Sequence, residues 1–429
     1  MPAHPEEWSG SWSRYVVDPH ESENRQVSIG STGSEPLHLA VALDGTGWHP
    51  ASWREADARP EDLLSPRYWT DLVTEAERGL LDFVTIEDGL TLQSDDKFRV
   101  DQRTDQVRGR LDAVLIASRV APLTRHIGFL PMAVVTHTEP FHLSKAIATL
   151  DYVSSGRAGV RVQVAPSPEA AHHFGRREIP RLSSATLTEP AARRAVQELL
   201  DEAADYVEVL RRLWDSWEDG AEIRDVASGR FVDRNKLHYI DFEGSKFAVK
   251  GPSITPRPPQ GQPIVAALGH AGPAYALIAG SADVGLVTPR DAADTTAIVE
   301  EITTLRPTGL EPVRVFADLV VYLADTVASA ESRKARLDER AGAEYRSDAQ
   351  TFVGTPSGLA DLLVEWHAAG LTGFRLRPAT LPFDLTQLVD GLVPELQRRG
   401  VFRNRYGAGT LRDALGLERP ANQYTTAGS

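Results

Sequence analysis

The chain has 429 residues, 41% hydrophobic and 25% charged, the balance of an ordinary soluble globular protein. A net charge of −14 argues against a nucleic-acid-binding surface and against adhesion to anionic membranes. There is no cysteine, which excludes disulfides, thiolate metal sites and cysteine nucleophiles. The opening MPAHPEEWSGSWSRY has neither a basic start nor an apolar core, and no run approaches a membrane span, so a cytoplasmic protein is expected.

Residues 1–35 are polar and aperiodic and read as a loose or wrapping arm. A strand at 37–43 leads into DGTGWHPASWR, a loop rich in aromatic and turn residues. A helix over about 68–79 precedes a strand at 82–86, which ends in Glu87 and Asp88. Helical spacing in Val107, Leu111, Val114, Leu115 and Ala117 predicts a helix over 105–120. The stretch 126–167 then carries a complete βαβ unit. Its apolar run 127–135 predicts a buried strand, Thr138 an N-cap, and Leu143, Ile147 and Leu150 an apolar helical face. Gly156 stops that helix, and 158–164 is the second strand.

The alternation breaks at 165–190, where prolines and a cluster of His172, His173 and Arg176 follow no period. This segment is either a surface insertion or a lid over a site. A long helix over about 189–217 follows, and 219–262 forms a second insertion, hairpin-like around 231–249. Strands at 264–268, 284–287, 313–323 and 373–376 complete the pattern, separated by helices at about 272–280, 291–305, 327–346 and 356–369. The last helix covers 384–399, and the tail from 401 is polar and expected on the surface. Eight β/α repeats predict a closed (β/α)8 barrel over 36–400, with a doubly wound open sheet as the alternative.

In a barrel, chemistry belongs to the loops at the strands' C-terminal ends. Histidine is frequent there: His49, His137, His172, His173 and His270. A metal site is not expected, because His38 lacks a second histidine at the spacing that barrel hydrolases use. The turn GHAGPA opens a helix and offers backbone N–H groups to an anion such as a phosphate, although such turns also simply join strand to helix. No Walker sequence, dinucleotide-binding glycine pattern or G-x-S-x-G elbow is present.

The string TLDYVSSGRAGVRV resembles the SLD-x-x-SGGR signature of the bacterial-luciferase-like flavin-dependent monooxygenases, in the branch of nitrilotriacetate and dibenzothiophene-sulfone monooxygenases. GWHPASWR, AERGLLDFVTIED, YVEVLRRLWDSW, FAVKGPSITPRPPQGQPIV and LVPELQRRGVFRNRYGAGTLRDALGL match as well, so the resemblance runs from about 37 to 425. It implies a homo-oligomeric oxygenase that takes reduced FMN from a separate NAD(P)H-dependent flavin reductase and oxygenates a small organic substrate with O2. Both insertions would close such a site.

Asp88 matches the family's acidic residue on the second strand. Met132 stands where a flavin-contacting Thr is usual, and Arg161 where an Asn follows the central glycine. Val196 and Leu200 occupy the positions of a His and a Tyr, and Ala271 in Gly269–Gly272 that of a phosphate-binding Ser. The resemblance therefore implies a cofactor shell of Asp88, Met132, Arg161, Gly269, His270, Ala271 and Gly272. In it FMN uses Arg161, His173 or His270, or binds weakly. A deazaflavin-dependent oxidoreductase and a non-catalytic homologue are the alternatives. His49 is the first candidate for a catalytic histidine and His137 the second, against the reading that both only line the rim.

Overall fold

Period-2 apolar runs separated by capped amphipathic stretches give alternating strands and helices in the computed structural model, which describes residues 36–94, 100–183 and 185–425. The expected arm at 1–35 lies outside these residues. Through the first half the elements are β1 His38–Leu43, α1 Pro66–Arg78, β2 Phe83–Ile86, α2 Ala113–Val120, β3 Gly128–Val134, α3 Pro140–Val153, β4 Gly159–Gln163, α4 Pro168–His172 and α5 Pro190–Asp215. Two small hairpins follow, β5 Glu222–Asp225 with β6 Arg230–Val232, and β7 Phe242–Glu243 with β8 Ala248–Val249. Then come β9 Ile264–Gly269, α6 Gly272–Ser281, β10 Val284–Val287, α7 Ala292–Leu305, β11 Arg314–Leu323, α8 Val327–Ala341, β12 Gln350–Gly354, α9 Pro356–Ala368 and β13 Gly373–Pro378. The chain closes with α10 Phe383–Gln387, a π turn at Leu388–Leu392, α11 Val393–Arg398 and α12 Leu411–Ala414.

Eight strands pair in parallel in the order β1-β2-β3-β4-β9-β10-β11-β13, and β13 returns to β1 with His38 opposite Gly373. The sheet is closed, so the barrel holds and the open-sheet alternative falls. Outward side chains of the strands pack under the helices in one large core. Inside, Ala40, Phe83, Leu130, Ile264, Val284 and Phe316 form an apolar floor at the strands' N-terminal end. Leu411, Leu415 and Leu417 close that floor from below. Gly128 makes room for the plug, since a Cβ there would sit 2.6 Å from Leu411 Cδ1.

Several local expectations change. Residues 401–425 are not a polar surface tail, because these leucines and Arg412 are buried at the barrel's base. β12 was not expected: it pairs with the C-terminal half of β11, outside the barrel ring. α2 starts only at Ala113, behind the Asp112 cap, and Val107 belongs to a loop that covers Gly45. The N-cap of α3 is Glu139, while the Thr138 hydroxyl donates to the Val134 carbonyl at 2.7 Å. α8 ends at Ala341, where Gly342 takes a left-handed φ of 76°. The second insertion is two hairpins rather than one, and it packs on the outer side of α5 through Val209, Leu213, Ile240 and Phe242. Among the described residues, no helix is long and apolar enough to cross a membrane.

Candidate active site

Above the floor the barrel interior turns ionic. In β13, residues two apart face the same side, so GFRLRP turns both Arg375 and Arg377 inward. Asp318, the one acid in β11, meets them: Arg375 Nε donates to its Oδ1 at 2.7 Å, and Arg377 Nε to its Oδ2 at 2.9 Å. Burial opposes ionisation of Asp318, yet the two guanidinium groups hold its pKa below the ordinary carboxylate value. Arg375 also reaches Thr85 Oγ1 at 3.1 Å and Glu87 Oε1 at 3.3 Å. Glu87 accepts in turn from Arg161 of β4, whose Nη1 donates to Gln163 Oε1 at 3.1 Å. At the mouth, Arg377 Nη1 donates to Asp348 at 2.6 Å and its guanidinium lies 4.5 Å over the Trp48 ring. Burial lowers the pKa of Arg161 to about 10 in spite of Glu87, and its Nε is buried with no hydrogen-bond partner.

Two connected spaces open over this network. A deep cavity of about 370 Å³ is lined by Trp48, Met132, Arg161, Gln163, Leu268 and Arg377. A wider cavity of about 1990 Å³ has apolar lining residues, among them Val164, Leu199, Leu200 and Leu268, and polar ones, among them Thr288 and Arg110, Arg181 and Arg290, which pair with Asp44, Glu169 and Asp294. Trp48, Gln163, Val164, Pro166 and Leu268 border both. Trp48 is pinned by its indole N–H on the Ala42 carbonyl at 3.0 Å. Gly47 lets that loop pass, since its φ is 129° and a Cβ would overlap the Ala379 carbonyl. The insertion at 165–190 contributes Pro166, Arg181, Leu182, Ser183 and Leu187 to the lining, and the insertion at 219–262 contributes nothing, so only the first borders the site.

The expected site residues divide accordingly. Asp88, Met132 and Arg161 line the deep cavity. Asp88 also accepts from the backbone N–H of Gly89 at 2.7 Å and of Ala113 at 3.0 Å, so it anchors the start of α2. Gly269 ends β9, and His270 lines the wide cavity with Nδ1 2.9 Å from Thr288 Oγ1 and Nε2 3.5 Å from Asp348. Ala271 is an extended N-cap without a capping side chain, and Gly272 opens α6. His173 is exposed at the C-cap of α4, away from both linings, so it is not part of this site.

The two catalytic candidates stand in different places. His49 is fully buried. Its Nδ1 accepts from the Ala51 N–H at 3.0 Å, and its Nε2 therefore carries the proton that points at Asp338 Oδ1, 3.1 Å away. Both nitrogens hold the loop in place, and the residue borders the wide cavity. His137 takes a left-handed φ of 74° and stacks on Phe174 at 5.5 Å, outside both linings. Burial first, then Arg177 and Arg176, lowers its pKa to about 4. Sequence reasoning missed Trp48, Asp318, Arg375 and Arg377. The signal was there in two arginines at period 2 and one acid inside the apolar run VFADLVVYL.

A flavin mononucleotide fits these residues. The deep cavity joins apolar faces to buried donors, including the unpartnered Arg161 Nε, as a flat heteroaromatic ring needs. The wide cavity adds the start of α6 and the arginines of its lining for a phosphate.

The chain matches the luciferase-like monooxygenase family over residues 46–373. It is 30% identical to N-acetyl-S-(2-succino)cysteine monooxygenase of Bacillus subtilis (strain 168), over 90% of this chain and 98% of that one. It is 28% identical to nitrilotriacetate monooxygenase component A of Aminobacter aminovorans, over 91% and 98%. The crystal structure of long-chain alkane monooxygenase (LadA) superposes with a TM-score of 0.76 at 23% identity, covering 90% of this chain and 96% of that one. The chain belongs to the luciferase-like monooxygenase family. It is a flavin-dependent monooxygenase, working with reduced FMN and O2.

Proposed function

We propose that the two joined cavities are the place where this oxygenase binds reduced FMN and a small organic substrate. In this reading the isoalloxazine ring takes the deep cavity and the phosphate takes the polar lining of the wide one. The observation that carries it is a slot with apolar faces and buried donors that shares border residues with a wider cavity lined by several arginines. Reduced FMN, when bound, supplies the two electrons that split O2, one oxygen atom going to substrate and the other leaving as water.

The chain's own residues bind and shield. Trp48 roofs the deep cavity, held by Ala42 and Arg377, and keeps water out. Met132 and Leu268 offer apolar faces to a ring. Thr288 and Arg290, with the start of α6, offer donors to a phosphate. His49 is a positioning residue that fixes the loop carrying Trp48, and His137 shapes the neighbouring loop. The reductase is a separate protein, consistent with the absence of a dinucleotide-binding glycine pattern, and both work in the cytoplasm, where NAD(P)H is available.

Anaerobic titration of the full chain with reduced FMN tests the placement. Saturable binding is expected in the wild type and loss of at least tenfold in Leu268→Trp, which fills the slot. Undiminished binding in that variant would move the flavin elsewhere, and uptake of reduced deazaflavin in place of FMN would change the cofactor. With a flavin reductase and NADH added, N-acetyl-S-(2-succino)cysteine and nitrilotriacetate are the first substrates to try.

A further inference from the structure

The interior network pairs its three arginines with three carboxylates, yet one guanidinium beside the deep cavity keeps a buried donor without a partner. Arg161, Arg375 and Arg377 are 2%, 0% and 1% exposed, whereas only two carboxylates are buried with them, Asp318 at 0% and Glu87 at 8%. A third carboxylate, Asp348, sits at the mouth with its side chain 42% exposed and faces His270 as well as Arg377. Asp318 is taken up by Arg375 and Arg377. Glu87 must then serve Arg375 and Arg161 together. What remains for Arg161 is a neutral amide oxygen, a thioether sulfur and an Nε with no partner.

A guanidinium group does not shed its charge, and burying it with a shared carboxylate and an unused donor is costly. The surroundings indicate which anion would repair this. Met132, Val134 and Leu268 line the same deep cavity under Trp48 beside Glu87, Asp88 and Asp348, and a compact anion would meet those carboxylates at full charge whereas a flat ring with spread charge would not. The isoalloxazine ring is neutral when oxidised and carries a delocalised negative charge when reduced at neutral pH. We propose that Arg161 is the counter-cation of the reduced flavin ring, so that the preference of the site for reduced over oxidised FMN rests on this one side chain. The proposal rests on the placement of the ring in the deep cavity given above.

The test is anaerobic equilibrium titration of the full chain with photoreduced FMN, beside titration with oxidised FMN. The wild type is expected to bind the reduced form at least tenfold more tightly, equivalent to a rise of about 30 mV in the midpoint potential of the bound two-electron couple. Arg161→Gln should lose at least tenfold for reduced FMN while staying within twofold for oxidised FMN, and Arg161→Lys should restore most of the difference. Should Arg161→Gln not fold, Arg161→Gln with Glu87→Gln removes both charges together and is expected to show the same loss. Reduced riboflavin, which lacks the phosphate, should depend on Arg161 as FMN does. The proposal is overturned if either glutamine variant keeps the wild-type ratio, if both redox forms weaken equally, or if the dependence disappears with riboflavin. A wild type that binds neither form would instead overturn the placement itself, and this proposal with it.

Discussion

At the base of the barrel, Leu411, Leu415 and Leu417 meet Phe83, Leu130 and Phe316 in a contact without charge. A few residues further along the same strands, Arg161, Arg375, Arg377, Asp318 and Glu87 fill the interior with ion pairs. Both ends are buried in one closed sheet, yet only the base gains from burial, at roughly 1.5–3 kcal/mol per large apolar side chain. The mouth works against desolvation and recovers only what its geometry returns. A barrel selected for stability alone would continue the leucines upward. The difference locates function at the end where burial is expensive.

The largest effect expected is at the centre of the ionic end. Asp318→Asn leaves Arg375 and Arg377 facing a neutral amide, and a loss of about 3–5 kcal/mol in urea unfolding is expected. Because the folded pKa of Asp318 is depressed, its contribution is complete above the unfolded value of about 3.9 and fades as pH falls through the lower folded value. The acid limb of the stability profile should therefore flatten in this variant. An unchanged midpoint would mean that the ion pairs are dispensable and the contrast between the ends is false.

At the apolar end, Leu411→Ala should cost about 2–5 kcal/mol by opening a hole above Gly128. Its affinity for reduced FMN, measured well below the unfolding midpoint, should match the wild type. A parallel loss of affinity would show that the base and the mouth are coupled.

The contrast can be sharpened at the phosphate wall. Ala271→Ser with Leu200→Tyr adds two hydroxyls where the chain has none, each hydrogen bond to a charged group being worth roughly 1.5–3 kcal/mol. FMN binding should tighten by about a hundredfold or more, with riboflavin unaffected. Weaker or unchanged FMN binding would put the phosphate on another part of the wall.

The smallest effect concerns His137. Its folded pKa of about 4 lies below the unfolded value of about 6.5, so protonation favours unfolding. Stability is then full above about pH 6.5 and declines as pH falls toward 4. His137→Asn, which tolerates the left-handed backbone, should remove that slope while changing neutral-pH stability little. A slope that persists belongs to another group.

How much of this was legible follows from range. The eight barrel strands are apolar runs broken by turn residues, and such local patterns survive without tertiary information. β12 escaped because QTFVG is half-buried and pairs only with the extension of β11. The start of α2 was misread because Val107 falls at helical spacing by coincidence while it serves a loop contact with Gly45. In the site, Asp88, Met132 and Arg161 were named from the family resemblance, position by position, and all three line the deep cavity. The contacts of His49 were hidden because Asp338 lies on a distant helix, which no local pattern reveals. The ion network was hidden for the same reason: each arginine is visible alone, but their sharing of Asp318 appears only when β11 and β13 lie side by side.

The plug at the base also sets an order of events during synthesis. β1 emerges early, and β2 can cover one of its edges soon afterwards, but the other waits for β13. Even then the base stays open until Leu411, Leu415 and Leu417 have left the ribosome. Most of the chain is thus made before the barrel can shut, with an apolar interior and a bare strand edge exposed meanwhile. A bare strand edge invites pairing with other chains, and the leucines that close the base are the ones that seal the interior behind it.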